Sequence, residues 1–171
     1  MKANELKGRA VVTLSDAAKV GQIDDVLFDA DYRKVLGFRV KKGTFSRADA
    51  VSRASVTAVG SDAVTVVGPD AINTADRLED LIGAMDLGQA EKTKVVTEGG
   101  NLIGTVAELE LDDDASYVNA YILSAPLWDR LRNREPRIPA HQVLRLGEGG
   151  IMIVPNGVAD NLRSPQGEKA E

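Results

Sequence analysis

Acidic residues gather at two predicted turns and could hold a divalent cation. Asp29 and Asp31 stand in the first turn, and Asp112, Asp113 and Asp114 stand in the second. Hard cations such as Ca²⁺ and Mg²⁺ take several oxygen ligands, so each group has suitable chemistry. Asp is also a common turn residue, because its carboxylate accepts hydrogen bonds from nearby backbone N–H groups. Neither group has the spacing of a twelve-residue calcium loop, so the structural interpretation is favoured over a metal site.

Two further carboxylates, Asp25 and Glu108, stand at the same place in a repeated motif. The motif reads VGQIDDVLFD from Val20 and IGTVAELELD from Ile103, and the carboxylate is its sixth residue in both copies. General acid–base catalysis needs a second group within hydrogen-bond reach, and no residue pattern supplies one. Buried backbone N–H groups must find acceptors, so we expect these carboxylates to serve the architecture of the strand. No catalytic residue, metal ligand or cofactor is predicted.

Basic side chains are concentrated in the two predicted connecting loops. The first loop carries four basic residues against one carboxylate, and the second surrounds the single Trp of the chain with arginines. The candidate partner-binding residues are Lys41, Lys42, Arg47, Trp128, Arg130, Arg132 and Arg134. An exposed Trp beside Arg is a common anchor of protein interfaces, whereas a Trp folded against the barrel would be a short lid. Both interpretations of Trp128 stay open, and acidic protein, RNA and an anionic membrane surface all suit such a patch.

The composition excludes several classes of protein. The 171 residues include no Cys and one His, which rules out disulfides, thiolate catalysis and His-rich metal clusters. A net charge of −5 and an aromatic content of 4% argue against general or single-strand nucleic-acid binding. No apolar run approaches the ~18 residues of a membrane span, and the first residues lack the pattern of a secretory signal. We therefore expect a cytoplasmic protein.

The two motif copies predict two small units of the same fold. Within the motif, every matching residue of the second copy lies 83 positions after its counterpart, as Gly104 follows Gly21. In the first copy Ile23 and Val26 are three residues apart, whereas Val26 and Phe28 are two apart. A regular strand would place Ile23 and Val26 on opposite faces, so the spacing predicts a β-bulge between them in both copies. Bulges bend strands, which favours small barrels.

The segment between the copies has a helical period. Leu78, Leu81, Ile82 and Met85 follow the i, i+3, i+4, i+7 spacing of an amphipathic helix over residues 73–87. We therefore predict a mainly β protein in which two tandem bent β-barrels are joined by a helix and a short linker. The expected divisions are a first barrel at 1–72, a linker at 73–91, a second barrel at 92–157 and a loose polar tail at 158–171.

Both copies resemble the PRC-barrel family. The family motif of Gly, an acidic residue and Asp among apolar positions is matched by Gly21, Asp25, Asp29, Gly104, Glu108 and Asp112. Ile138 and Pro139 also fit the closing element of the family, whereas the first copy has no Pro in its counterpart at 53–56. The resemblance covers most of residues 5–68 and 92–155. It implies small, strongly bent β-barrels with adaptor or docking roles and no shared catalytic centre.

We predict a non-enzymatic adaptor that binds a protein or ribonucleoprotein partner through the basic loops. One alternative is a regulator that binds a small ligand or a divalent metal with the turn carboxylates. Another is a peripheral component of a membrane or photosynthetic electron-transfer complex, since the reaction-centre H subunit belongs to the family that the motifs resemble. Val118, Ala120 and Ile122 make both faces of one strand partly apolar, so this strand is expected to pack on the other barrel or on a second chain in a homodimer.

Overall fold

The structure is a computed structural model that describes residues 1–43, 49–124, 136–147 and 149–163. Within these ranges the chain is mainly β, and its strands form an eight-stranded and a six-stranded sheet. The predicted β class of the fold is confirmed. Five of the seven candidate partner-binding residues lie outside the described residues, namely Arg47, Trp128, Arg130, Arg132 and Arg134.

The first sequence copy supplies the first sheet. Its strands are β1 Ala10–Thr13, β2 Lys19–Phe28, β3 Val35–Lys41, β4 Asp49–Ser52, β5 Val56–Val59, β6 Ala63–Val66 and β7 Ile72–Thr74. Short Val-rich segments between Gly, Asp and Ser turns favour such strands. The order across the sheet is β5-β6-β1-β2-β3-β4-β7, and only β1 and β6 among these neighbours are parallel. The two-residue strand β8 Met85–Asp86 adds to β2, although it directly precedes the second copy.

The second copy repeats this arrangement in the second sheet. Its elements are α1 Leu87–Ala90, β9 Lys94–Thr97, β10 Leu102–Leu111, β11 Val118–Ser124, β12 Arg137–Pro139, β13 Arg145–Gly147, β14 Ile151–Val154 and α2 Asn156–Arg163. The order is β12-β11-β10-β9-β14-β13, with β9 and β14 parallel, so β9 to β14 correspond to β1 to β6. Short 3-10 turns occur at Ala3–Leu6, Arg53–Ser55, Pro69–Ala71, Ala75–Arg77, Glu79–Leu81 and Ala140–Gln142.

The long strand of each copy carries the predicted bulge. In β2, Ile23 pairs with Val40 and Asp25 pairs with Arg39, which leaves Asp24 as the extra residue. In β10 the same register shift occurs at the equivalent position against β11. The bulge returns the apolar residues on either side of it to the inner face, where they are buried. A bulge also bends its strand, which lets a small sheet curl around a core.

A short segment at the start of each copy pairs with the long strand of the other copy. β8 pairs with the end of β2, where Asp86 lies opposite Leu27. In return, Lys2 forms a β-bridge with Glu110 at the end of β10. Glu110 is the counterpart of Leu27 in the repeat, so the two contacts are equivalent and reciprocal. Each copy therefore adds paired backbone beside the end of the long strand of the other.

The turn between β2 and β3 and the turn between β10 and β11 also pair with each other. The Val35 N–H donates to the Ser116 carbonyl oxygen at 2.9 Å, and the Val118 N–H donates to the Arg33 carbonyl oxygen at 2.9 Å. Val118 and Ser116 are the counterparts of Val35 and Arg33, so the two hydrogen bonds are related by symmetry. An isologous homodimer has the same reciprocity, which this chain reproduces between two halves of one molecule.

One continuous hydrophobic cluster extends through both halves. Leu6 and Ala90 are counterparts and both belong to it, as do the counterparts Phe38 and Tyr121. Units of about 70 residues lie near the lower size limit for an independent core. Because the cluster is shared, the described parts of the two copies pack as one unit.

The second apolar face of β11 is buried within the single chain. Val118, Ala120 and Ile122 are 5%, 0% and 6% exposed. Val118 belongs to the shared core cluster. These three residues therefore leave no open apolar face on β11 for a second chain.

The prediction of a helix over residues 73–87 is wrong. This segment begins as β7, paired with β4, and continues as two 3-10 turns that end at Leu81. Gly83 follows with a φ of +75°, a left-handed conformation that interrupts a right-handed helix. The apolar spacing serves another purpose, because Leu81 packs on Leu27 and Ala50 in a small cluster separate from the main core.

The tail predicted beyond residue 157 is helical where the structure describes it. Val158 of α2 is buried, and Ala159 and Leu162 pack against the main core. Val158 and Leu162 are four residues apart, so they lie on the same face of a helix. The expectation of a loose tail is therefore wrong for residues 158–163, and the rest of it lies outside the described residues.

Candidate functional site

The turn carboxylates are occupied by backbone hydrogen bonds. Asp29 Oδ1 accepts from the N–H groups of Arg33 at 2.8 Å and of Lys34 at 3.1 Å. Asp112 Oδ1 accepts in the same way, at 2.7 Å and 3.1 Å, from the N–H groups of the two equivalent residues of its own turn. The residue at the tip of each turn has a left-handed backbone, with φ of 49° at Tyr32. The two carboxylates thus stabilise a turn that is otherwise strained.

The carboxylates of the bulges also accept backbone hydrogen bonds. The Val26 N–H donates to Asp25 Oδ1 at 2.8 Å, and the Leu109 N–H donates to Glu108 Oε1 at 2.9 Å. Glu108 is only 9% exposed and lies 3.4 Å from the Asn4 backbone nitrogen, which donates to it. Each carboxylate satisfies the N–H of the residue that follows it at the bulge. This arrangement supports architecture and offers no acid–base pair.

Basic side chains converge at one pocket beside the first connecting loop. The pocket has a volume of about 230 Å³ and is lined by Lys19, Gly21, Gln22, Lys41, Lys42 and Gly43. We name it the lysine pocket. Gln22 lies opposite Lys41 in the sheet, so the start of β2 and the end of β3 bring Lys19 and Lys41 to the same opening. Two of the candidate residues, Lys41 and Lys42, therefore share a site with a third lysine.

The lysine pocket keeps positive charge that described acidic residues do not neutralise. Lys42 Nζ lies 2.7 Å from Asp49 Oδ2. Lys19 is exposed and Lys41 is half-buried, and neither forms an ion pair with another residue of the described ranges. Two ammonium groups are thus available to an anion at a single opening. The three donors of each ammonium group suit a carboxylate or a phosphate.

Gly21 forms the closest contact between the strands at the pocket. A Cβ atom at this position would stand 2.7 Å from Val40 Cγ1 and 2.8 Å from the Lys41 carbonyl oxygen. Both distances are below normal contact, so only glycine lets β2 approach β3 at this point. The glycine of the family motif therefore also helps to shape the opening.

Lys19 is a lining residue that the sequence did not indicate. It lies at the start of β2, outside both connecting loops, and nothing in its immediate sequence is unusual. The register of β2 against β3 brings Lys19 to the same pocket as Lys41. A register prediction that placed Gln22 opposite Lys41 would have found it.

A second groove lies where the two copies meet. It has a volume of about 460 Å³ and includes Lys34, Arg53 and Tyr117 in its lining. The Arg53 guanidinium is used within the fold, because its Nε and Nη2 atoms donate to the Asp114 carbonyl oxygen at 3.1 Å and 2.7 Å. Arg53 thus ties the first copy to the turn of the second and is not available to a ligand in this arrangement.

Tyr32 and Tyr121 have structural roles. The Tyr121 hydroxyl donates to the Tyr32 carbonyl oxygen at 3.0 Å, which joins the two copies inside the core. Burial raises the pKa of Tyr121 to about 12, and the Asp29 and Asp31 charges act in the same direction while that of Arg33 opposes them. Burial also raises the pKa of Tyr32. Both hydroxyl groups stay neutral at physiological pH.

The described residues include no cluster of three or more His, Cys, Asp or Glu side chains that could hold a metal ion. None of the helices in the described ranges has the length and apolar character needed to cross a bilayer.

The fold and the site together define a tandem of two small bent β modules that share one core and pair reciprocally through their leading segments. A family model described as PRC-barrel domain matches residues 1–71 and 86–158, so the chain belongs to the PRC-barrel family. PRC-barrel domains are generally non-catalytic modules and often mediate protein interactions. A search among curated proteins finds no match to the chain. The second matched region begins at β8, inside the segment predicted as a linker.

Proposed function

We propose that this protein is a docking module that binds anionic groups of a protein or ribonucleoprotein partner at the lysine pocket. The observation that carries the proposal is that Lys19, Lys41 and Lys42 line one opening, where Lys42 is paired with Asp49 and neither Lys19 nor Lys41 forms an ion pair with another described residue. Positive charge focused at a concave surface attracts acidic partners and accelerates their association. The chain as a whole has a net charge of −5, so this local positive charge contrasts with the overall charge.

The size of the lysine pocket favours one anionic group over a whole small ligand. Sites for cofactors and drug-sized ligands are typically ~300–1,000 Å³ and mostly apolar. The lysine pocket, at about 230 Å³, is smaller and is lined by three lysine residues. It suits the carboxylate of an acidic side chain or a backbone phosphate of a ribonucleoprotein. The remaining contacts would come from the surface around it.

The shared core supports a scaffold role. The reciprocal pairing of the leading segments and the symmetric turn hydrogen bonds hold the two copies together at several separate places. A rigid surface loses little conformational entropy when it binds, which favours affinity from a small site. The described part of the molecule thus offers a preorganised platform on which the connecting loops are carried.

The metal-binding alternative is not favoured by the geometry. Asp29 and Asp112 each use one carboxylate oxygen to accept two backbone N–H groups. A cation that drew this oxygen away would leave those N–H groups without their acceptor. The third carboxylate needed for a typical site is not grouped with them in the described residues.

An affinity capture with matched charge reversals tests the docking proposal. Lys19→Glu with Lys41→Glu reverses the charge of the pocket, whereas Arg77→Glu with Lys92→Glu makes the same charge change at exposed positions elsewhere. Extracts of the native host, with and without ribonuclease, are passed over each immobilised variant, and bound proteins are identified by mass spectrometry. The proposal predicts a partner held by the wild type and the control but lost from the pocket variant. The same proteins on all three surfaces would overturn it.

A further inference from the structure

The outer face of the second sheet carries exposed apolar side chains. Leu102 of β10 lies opposite Val96 of β9, and Val96 lies opposite Ile153 of β14, so the three share one face. Ile151 is on the same face two residues before Ile153, and the Leu144 N–H donates to the Ile153 carbonyl oxygen at 2.9 Å. Leu102, Leu144 and Ile151 are 61%, 52% and 44% exposed. We name these five residues the outer stripe.

The first sheet has no such stripe at the same place. The counterparts of the outer stripe, found through the equivalent strand pairings, are Lys19, Val12, Thr65, Ala63 and Thr57. Both copies form the same strands, so the fold does not require large apolar side chains here. The first sheet instead exposes Leu14 and Val67 just beyond β1 and β6, where the second copy has Glu98 and Pro155. The two copies thus expose apolar side chains at different places, and a contiguous exposed apolar patch indicates an interaction surface.

Charges at the two ends of β9 indicate what covers the outer stripe. Lys94, Val96 and Glu98 are accessible and alternate with the buried residues Val95 and Thr97, so the three face outward together. Lys94 begins β9 and Glu98 directly follows its last residue, so the two are roughly 13 Å apart at ~3.3 Å per residue. Neither forms an ion pair with another described residue. The stripe thus has an apolar centre with opposite charges at its two ends.

We propose that the outer stripe is the interface of a homodimer of this chain. If two copies pack stripe to stripe with their β9 strands antiparallel, Lys94 of each chain meets Glu98 of the other. The two-fold axis supplies this match twice, so the surface is complementary to itself. A different partner would have to provide both charges in the same spacing. Arg145 lies opposite Ile153 near the edge of the sheet, where its long side chain extends to water.

Analytical ultracentrifugation over a range of protein concentrations tests the dimer. The average mass of the wild type is expected to rise from the 18.2 kDa of one chain toward twice that value. Leu102→Lys with Ile151→Ala gives the second copy the residues of the first, and this variant is expected to stay monomeric. Ile82→Lys removes an apolar side chain that is 73% exposed outside the stripe, and this control is expected to dimerise like the wild type.

A charge exchange separates a two-fold interface from unspecific association. Lys94→Glu places a glutamate opposite Glu98 of the other chain. The dissociation constant of the dimer is expected to rise roughly tenfold. Adding Glu98→Lys restores opposite charges and is expected to recover the wild-type dissociation constant. A wild type that is monomeric throughout, a dimer unaffected by the stripe variant, or a double variant that does not recover would each overturn the proposal.

Two controls keep this test independent of folding and of the docking proposal. All the substituted side chains are exposed or half-exposed, so each variant is expected to fold. A thermal melt of each variant checks this. Lys19→Glu with Lys41→Glu is expected to dimerise like the wild type, because the lysine pocket lies on the first sheet. Loss of the dimer in that variant would contradict the assignment of the interface to the outer stripe.

Discussion

Lys19 and Leu102 occupy the same position in the two copies of the repeat. Lys19 lies opposite Val12 of β1, and Leu102 lies opposite Val96, the counterpart of Val12, in β9. In the first copy this position lines the lysine pocket, and in the second it belongs to the outer stripe. The copies therefore share their backbone pairing and differ in the surface that the same strand presents. Duplication has given one chain two unlike faces.

Asp29→Ala is expected to lower the free energy of unfolding by about 1–2 kcal/mol, because two backbone N–H groups lose their acceptor. Urea denaturation measures the change. Asp31→Ala is the matched control, since Asp31 is exposed in the same turn and the substitution is expected to change the free energy by less than ~0.5 kcal/mol. Equal losses in the two variants would show that the hydrogen bonds of Asp29 do not hold the turn.

Tyr121 is expected to make the fold sensitive to alkaline pH. Its folded pKa of about 12 lies above the ordinary value of 10.0, so the folded state keeps the proton that the unfolded state loses. The contribution of this group, roughly 2–3 kcal/mol, is therefore complete below pH 10 and is lost as the pH rises from 10 through 12.

The variant Tyr121→Phe isolates this contribution. Phe38 fills the counterpart position in the first copy, which shows that the ring alone fits such a site. The variant loses the hydrogen bond to the Tyr32 carbonyl oxygen and is expected to be less stable by about 1 kcal/mol at neutral pH. Its unfolding free energy is expected to fall less steeply than that of the wild type between pH 10 and 12. Parallel pH profiles of the two proteins would contradict the pKa assigned to Tyr121.

The repeat and the bulges could be predicted because both depend on local spacing. Three apolar residues with one irregular interval predict a bulge between Ile23 and Val26, and the structure shows that Asp24 is the extra residue. The helix over residues 73–87 was predicted wrongly, because its apolar period could not reveal the left-handed backbone at Gly83 or the pairing of β7 with β4. Periodicity reports one apolar face but not the element that carries it.

The interlocking of the copies and the third lysine of the pocket could not be read from the sequence. The bridge from Lys2 to Glu110 joins residues of ordinary type that are far apart in the chain. Lys19 reaches the pocket only through the register of β2 against β3. Such contacts are decided by tertiary packing, which short motifs do not encode.

Trp128 and Arg132 remain candidate anchors on the second connecting loop. Trp128→Ala with Arg132→Glu is expected to abolish capture of the partner and to leave the melting temperature nearly unchanged, because interface anchors contribute to binding more than to folding. Affinity capture and a thermal melt of the same preparation measure both effects. A large fall in melting temperature would show that Trp128 is part of the core and would contradict its role as an anchor.

The affinity of the captured partner for three purified variants tests the docking account most directly. Calorimetric titration at low and high salt compares the wild type, Lys19→Glu with Lys41→Glu, and Arg77→Glu with Lys92→Glu. The account predicts at least a tenfold loss of affinity in the pocket variant, a wild-type value in the control, and weaker wild-type binding at high salt. Equal affinities in all three proteins, or wild-type binding that salt does not weaken, would contradict the claim that the lysine pocket receives an anionic partner.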